Sequence, residues 1–171
     1  MITQRLTIRR FVADDLKDFV SLIQDKMNSE YAVYDEQFPT DEGSIQGILS
    51  YFADTDEFMA VELLSEKRVI GFVSLNSVDD TTRNLGYCIH SAYQKQGYTT
   101  ETIKMIMEYA RDELKVHRLV TGTANENLPS VHLLEEMGFE KIGESEGSFC
   151  NDEKGNPILF TGGSYEYIFK Q

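Results

Sequence analysis

This chain is poor in cysteine, histidine and positive charge, and it has no long apolar run. No stretch approaches the ~20 apolar residues that span a bilayer, and Met1-Ile2-Thr3-Gln4-Arg5 lacks the apolar core of a signal peptide. Cys88 and Cys150 stand far apart without metal-like spacing, which points to a reduced, cytoplasmic setting. His90, His117 and His132 show no ligand spacing either, so no metal site is expected. Basic residues number 16 against 29 acidic ones, a formal net charge of -13. A field of that sign repels nucleic acid and anionic membranes and favours cationic partners, though acidity also serves solubility alone. Any anionic ligand must then depend on local donors.

The 171 residues are enough for one domain with a sizeable core, and no linker, repeat or low-complexity stretch divides them. Arg5–Arg9 alternates as a half-buried strand, with Leu6 and Ile8 on one face. A helix opens near Ala13 with Leu16, Phe19, Val20 and Ile23 on its apolar face, and a second runs from about Asp41 to Phe52. Between them, Glu30 to Thr40 reads as an aromatic, acidic loop. A block of strands follows, counted as four in the expected order βααββββαβαββ. It includes Phe58–Leu64, the nearly continuous apolar run Val69–Leu75 and Arg83–Ile89. The apolar run is expected to be central and covered on both faces. Then come a helix over about Thr99–Leu114, a strand over Arg118–Thr123, a short helix over Ser130–Met137, and closing strands over Lys141–Phe149 and Ser164–Phe169. Strands in a block with inserted helices point to an α+β fold whose sheet is mostly antiparallel, with a parallel part beside the Thr99–Leu114 helix.

The stretch around which this order turns is Tyr93-Gln94-Lys95-Gln96-Gly97-Tyr98-Thr99-Thr100-Glu101. It joins the Leu85–Ile89 strand to a helix carrying Ile103, Ile106, Met107, Ala110 and Leu114 at helical spacing. The unpaired N–H groups of that helix's first turn, at the positive end of its dipole, suit a phosphate. Gly97 lets an anion approach the main chain, and Lys95, with Lys104 behind it, can add charge. The Gly-Lys-Ser/Thr ending of a Walker loop is absent, and so are the three glycines of the dinucleotide fingerprint.

Gln94-x-x-Gly97-x-Thr99 resembles the Gln/Arg-x-x-Gly-x-Gly/Ala loop of the GCN5-related N-acetyltransferases, the GNAT superfamily, which cradles the pyrophosphate of acetyl-CoA. Asn127-Leu128-Pro129-Ser130, running to Gly138-Phe139, resembles that superfamily's Asn-x-x-Ser/Ala…Gly-Phe segment. Thr3-Gln4-Arg5-Leu6-Thr7-Ile8-Arg9 and Leu85-Gly86-Tyr87 resemble the opening and a strand of the branch that acetylates ribosomal-protein N-termini, the RimJ/RimL-like enzymes. The likeness covers essentially the whole chain. It implies a single acetyltransferase domain over residues 1–171, helices on both faces of the sheet, and a splayed parallel strand pair at the cofactor site.

The resemblance also implies site residues. Main-chain atoms of Gln94, Lys95, Gln96, Gly97, Tyr98, Thr99 and Thr100 would hold the pyrophosphate. The strand at Cys88 and Ile89 would lie along pantetheine and polarise the thioester carbonyl. Asn127 would bond the pantetheine arm, and Ser130 would lie near the sulfur. Departures are visible too: Thr99 replaces the small final residue of the loop, and Lys95 replaces a common glycine. Leu134 stands where many relatives carry an acid tyrosine, and Asn84 where this branch often has Glu. Ser130 is then the remaining acid, although a Ser before a short helix also reads as a plain N-cap. His90, Glu144 and Glu146 are open choices for the base.

The expected reaction is transfer of the acetyl group of acetyl-CoA to a primary amine, with a non-catalytic CoA-binding module as the alternative. A protein N-terminus, a polyamine and an amino sugar all remain possible acceptors. The aromatic, acidic stretch Tyr31–Phe38 is where the acceptor is expected, and its chemistry favours a cationic one. The chain is expected to work as a monomer or homodimer.

Overall fold

A computed structural model describes residues 1–170; Gln171, the end of the expected 1–171 domain, lies outside the described residues. The strands are β1 (Leu6–Arg9), β2 (Phe58–Leu63), β3 (Arg68–Ser77), β4 (Thr82–Ile89), β5 (Arg118–Ala124), β6 (Glu140–Gly147) and β7 (Phe160–Ile168). The helices are α1 (Leu16–Met27), α2 (Glu42–Asp54), α3 (Tyr98–Asp112) and α4 (Leu128–Glu136). All strands join one sheet in the order β1-β2-β3-β4-β5-β7-β6. Every pairing is antiparallel except β4 with β5. This is the α+β fold the residue pattern implied.

β3 is the run expected to be covered on both faces, and it is. Ile70, Val73 and Leu75 pack with Ile103 and Ile106 of α3 and Leu134 of α4 in one core. Val69 and Phe72 pack with Phe19, Leu22 and Ile23 of α1 and Ile45, Leu49 and Phe52 of α2 in the other. Phe52 anchors the second core, stacked on Phe58 at 3.8 Å and edge-on to Phe19 and Phe72. Cutting such a side chain back to Ala costs about 3–5 kcal/mol. No described helix is long and apolar enough to cross a membrane.

Three details differ from the sequence expectation. Only three strands, β2 to β4, separate α2 from α3, not four. β7 begins at Phe160 rather than Ser164, because Gly162 and Gly163 extend the pairing with β5. α4 begins at Leu128, not Ser130. Pro129 reads as a loop residue, but proline is tolerated in the first helical turn, where its missing N–H is not needed.

Candidate acetyl-transfer site

The site begins where two strands part. β4 and β5 pair only through Thr82↔Arg118, Arg83↔Leu119 and Asn84↔Val120. A last link follows, the Thr121 hydroxyl donating to the Leu85 carbonyl at 2.8 Å. Beyond it β4 stays with β3 as far as Gly71↔Ile89, while β5 stays with β7 as far as Ala124↔Gly162. Gly71 is required for that close course, since a Cβ there would collide with the Cys88 carbonyl oxygen. The His90 N–H donates to Ile70 of β3. Alternation along the strand therefore turns the main-chain groups of Cys88 toward β3 and those of Tyr87 and Ile89 toward the gap. A cavity of about 1070 Å³ occupies the gap and extends from the first turn of α3 to the end of α1.

At the α3 end, the chain leaves β4 through a short 3₁₀ turn, Ser91–Tyr93. The Gln94 amide pins this turn by donating to the Ile89 carbonyl at 2.9 Å. Lys95 and Gly97 then both take left-handed backbone, at φ 58° and 81°. That conformation explains the usual glycine at the Lys95 position, and Lys95 adopts it at a cost of about 1–2 kcal/mol. Gly97 is the N-cap of α3 and supplies no side-chain acceptor, so the first-turn N–H groups remain available to a ligand. Gln94, Lys95, Gly97, Thr99 and Thr100 line the cavity. Gln96 and Tyr98 face Arg5 instead, which donates to the Gln96 carbonyl at 2.9 Å and lies 4.4 Å over the Tyr98 ring.

The residues considered for chemistry are distributed unevenly. Ser130 lines the cavity, but it is not the cap of α4. That role belongs to Asn127, whose side-chain oxygen accepts the Ser130 N–H at 3.3 Å. Asn127 also lines the cavity. The Ser130 hydroxyl lies 2.7 Å from the Tyr87 hydroxyl. Burial pushes the Tyr87 phenol up to about 12, and its bond to Ser130 offsets only part of that, so the phenol stays protonated and can act only as a donor or acceptor of hydrogen bonds. Burial likewise pushes the Cys88 thiol up to about 12 and keeps it inert.

His90 is held at both nitrogens: Nδ1 accepts the Ala92 N–H at 3.2 Å, and Nε2 lies 3.3 Å from Ser21 Oγ. Ser145 and Gly147 of β6 line the cavity, so Glu144 and Glu146, at alternate positions, stand on the opposite face. Glu144 is further engaged by Lys141 and Asn125, whose hydrogen bonds hold it below the ordinary carboxylate value. Leu134 is fully buried in the core.

The other end of the cavity is aromatic and acidic. Ala32–Tyr34 forms a 3₁₀ turn, and Tyr34 meets Phe160 edge-on at 5.9 Å. Phe149 stacks on Phe160. Within the acidic stretch, Asp35 is paired with Lys26 at 2.9 Å, a lysine only 9% exposed that also lies over Phe38. Asp41 caps α2 by accepting the Ser44 N–H at 2.9 Å. The carboxylates on the wall are Asp25, Glu30 and Asp35, with Glu136 across the gap. Asp25 accepts the Ser91 N–H at 2.8 Å and the Ser91 hydroxyl. Tyr87 and Asp25 were not picked out from the sequence. Leu85-Gly86-Tyr87 was a visible signal for the first; nothing local marked the second.

Residues 5–140 match the family described as Acetyltransferase (GNAT) domain. The chain is similar to the protein named Probable N-acetyltransferase YjcK of Bacillus subtilis (strain 168), at 34% identity over 93 residues. That match spans 53% of this chain and 51% of YjcK, about half of each. It is 25% identical over 144 residues to the spermidine N(1)-acetyltransferase of Vibrio cholerae, covering 83% of each chain. The crystal structure of spermidine N-acetyltransferase from Vibrio cholerae with CoA and spermine matches over 97% of this chain and 96% of that one, with a TM-score of 0.77 and 20% identity. The ribosomal-protein-S5-alanine acetyltransferase of Vibrio fischeri matches over 98% and 95%, with a TM-score of 0.80 and 16% identity. At these identities the two structures speak for the fold alone.

Proposed function

We propose that this chain, which belongs to the GNAT acetyltransferases, transfers the acetyl group of acetyl-CoA directly to a primary amine held at the acidic, aromatic end of its cavity. One observation carries the reading. The β4 edge at Tyr87 and Ile89 opens onto a cavity that ends at the uncapped first turn of α3. An amide-bearing arm laid along that edge finds hydrogen-bonding groups like those of an added strand. The first-turn N–H groups, with Lys95 beside them, suit phosphates despite the acidic field of the whole chain. The residues present therefore fit acetyl-CoA, which would supply an activated thioester.

The chain's own groups divide the remaining work. N–H groups on the unpaired β4 edge would stabilise the charge that gathers on the thioester oxygen as the amine adds. The C–N bond forms, the C–S bond breaks, and its electron pair goes to sulfur. Ser130 stands on the wall to donate a hydrogen bond to that sulfur. The proton lost by the attacking nitrogen leaves through Asp25 or water beside it, because His90 is held at both nitrogens and Glu146 faces away. Holding both reactants in one cavity supplies much of the rate. Asp25, Glu30, Tyr31 and Tyr34 favour an amine carrying further positive charge, such as a polyamine or a basic peptide N-terminus.

The test is a panel of amines assayed with acetyl-CoA by thiol release. Acetylation of cationic primary amines is the expected result. The buried Leu134, where relatives carry a tyrosine acid, favours one second reading, a CoA-binding module without turnover. Tight CoA binding with no amine acetylated would establish that reading and overturn the first.

A further inference from the structure

Tyr87 and Ser130 come from different elements and meet across the parted strands. Tyr87 lies on β4, its ring packed against the core shared with α3 and α4. Ser130 is the third residue of α4. Their hydroxyl oxygens are 2.7 Å apart, and among the described residues neither hydroxyl makes another hydrogen bond. Two hydroxyls carry two protons, and one bond uses one of them. The other stays free, on the wall of the cavity.

Chemistry decides which one is free. Either oxygen can donate in this pair; the phenol, more acidic than an aliphatic hydroxyl, is the better donor, which favours Tyr87 donating and Ser130 accepting. The Ser130 proton is then unengaged. A hydroxyl that accepts a hydrogen bond is polarised into a stronger donor. Left alone, Ser130 would sample three χ1 wells. The ring of Tyr87, held by the core, selects one. The main chain of Ser130 is fixed as well, because its N–H already serves the Asn127 cap.

From this geometry we infer that Tyr87 is a positioning residue, which holds and polarises the Ser130 hydroxyl so that its free proton meets the sulfur as the C–S bond breaks. No proton changes hands. The electron pair of the C–S bond goes to sulfur, a thiolate is a far weaker base than a serine alkoxide, and the Ser130 proton stays on oxygen as a hydrogen-bond donor. The inference rests on the acetyl-transfer reading of the cavity and adds to it a residue and a relay.

The test is a double-mutant cycle on the full chain with Tyr87→Phe and Ser130→Ala, following kcat, the KM for acetyl-CoA and the melting temperature. Each single change is expected to lower kcat by about 10- to 100-fold, the span for losing one hydrogen bond to a charged group. KM for acetyl-CoA should hold steady, and the double variant should be no slower than either single one. Effects that multiply, or an unchanged kcat for Tyr87→Phe while the wild type turns over, would overturn the relay and leave the acetyl-transfer reading standing. A wild-type chain that acetylates no amine would overturn both. Should Tyr87→Phe fold poorly, replacing Tyr87 by 3-fluorotyrosine keeps the shape and strengthens the phenol as a donor. It should raise kcat, and an unchanged kcat would again overturn the relay.

Discussion

Arg5, one residue ahead of β1, grips Glu101 in the first turn of α3. Its Nε and Nη2 each reach Glu101 Oε2 at 2.7 Å, and its main-chain N–H reaches Oε1 at 3.0 Å. Thr3 donates its hydroxyl to the same Oε1. Arg5 also holds the Gln96 carbonyl and covers Tyr98, so one side chain fixes the outer side of the loop whose inner side faces the cavity. The Thr-x-Arg opening is thus the clamp on the loop ahead of α3, remote from it in sequence.

Breaking that clamp should act on binding more than on the fold. With side chains 40% and 19% exposed, the ion pair itself contributes at most about 1 kcal/mol to stability. Arg5→Ala is expected to raise the Kd for CoA severalfold, by calorimetry, with a small drop in melting temperature. An unchanged Kd would mean the loop keeps its shape without Arg5.

Glu101 also gives stability a pH dependence of definite sign. Burial raises its carboxyl, but hydrogen bonds from Thr3 and Arg5 outweigh burial and hold it below the ordinary value of 4.5. A depressed carboxyl contributes stability that is complete above its unfolded value and is lost as pH falls through the folded one. The wild type's resistance to urea should therefore weaken as pH drops below about 4.5. Glu101→Gln should be less stable at neutral pH and should lose less on acidification. Parallel pH curves for the two proteins would refute this.

A side chain at Gly97 should be disfavoured. Its φ of 81° disfavours other residues, and a Cβ would come 3.3 Å from Arg5 Nη2. Gly97→Ala is expected to cost about 1 kcal/mol in stability and to weaken CoA binding, because the loop must shift. A Kd equal to that of the wild type, in a folded variant, would remove this loop from the cofactor site.

Cap and chemistry separate at the start of α4. Asn127→Ala should lower stability by about 1 kcal/mol, the cost of a lost cap. Ser130→Ala keeps the cap, and where cavity water replaces its hydroxyl beside Tyr87, thermal melting should move less than for Asn127→Ala while turnover falls. If Ser130→Ala instead destabilises the fold as much as Asn127→Ala, Ser130 is structural.

For the acceptor, Asp25 is the carboxylate to change rather than Asp35, which Lys26 already neutralises. Asp25→Asn should lower kcat/KM for a cationic amine about tenfold or more, in line with a lost charge-assisted contact. It should also flatten that amine's dependence on salt, which screens over ~8 Å at physiological ionic strength. A neutral amine should show no salt dependence in either protein. Equal losses for both amines would leave Asp25 a route for the proton alone and place the recognition of charge elsewhere.

Local pattern was enough for most of the fold. The alternation of Leu6 and Ile8, the apolar run of β3 and the helical spacing from Ile103 to Ala110 each report burial directly, because a side chain's face follows from its period. Gly97 before a helix marked the turn at which α3 begins, for the same local reason. The partners of these elements were not legible, since they are set by packing between distant segments. No spacing in the chain says that Arg5 clamps Glu101, that Lys26 neutralises Asp35, or that β6 turns Glu146 away from the cavity. Nor does Ser130, read along the chain, reveal that Asn127 is its cap and Tyr87 its partner. The residue types that allow the chemistry are written locally. Which of them meet was decided by the parting of β4 from β5, a product of the whole sheet.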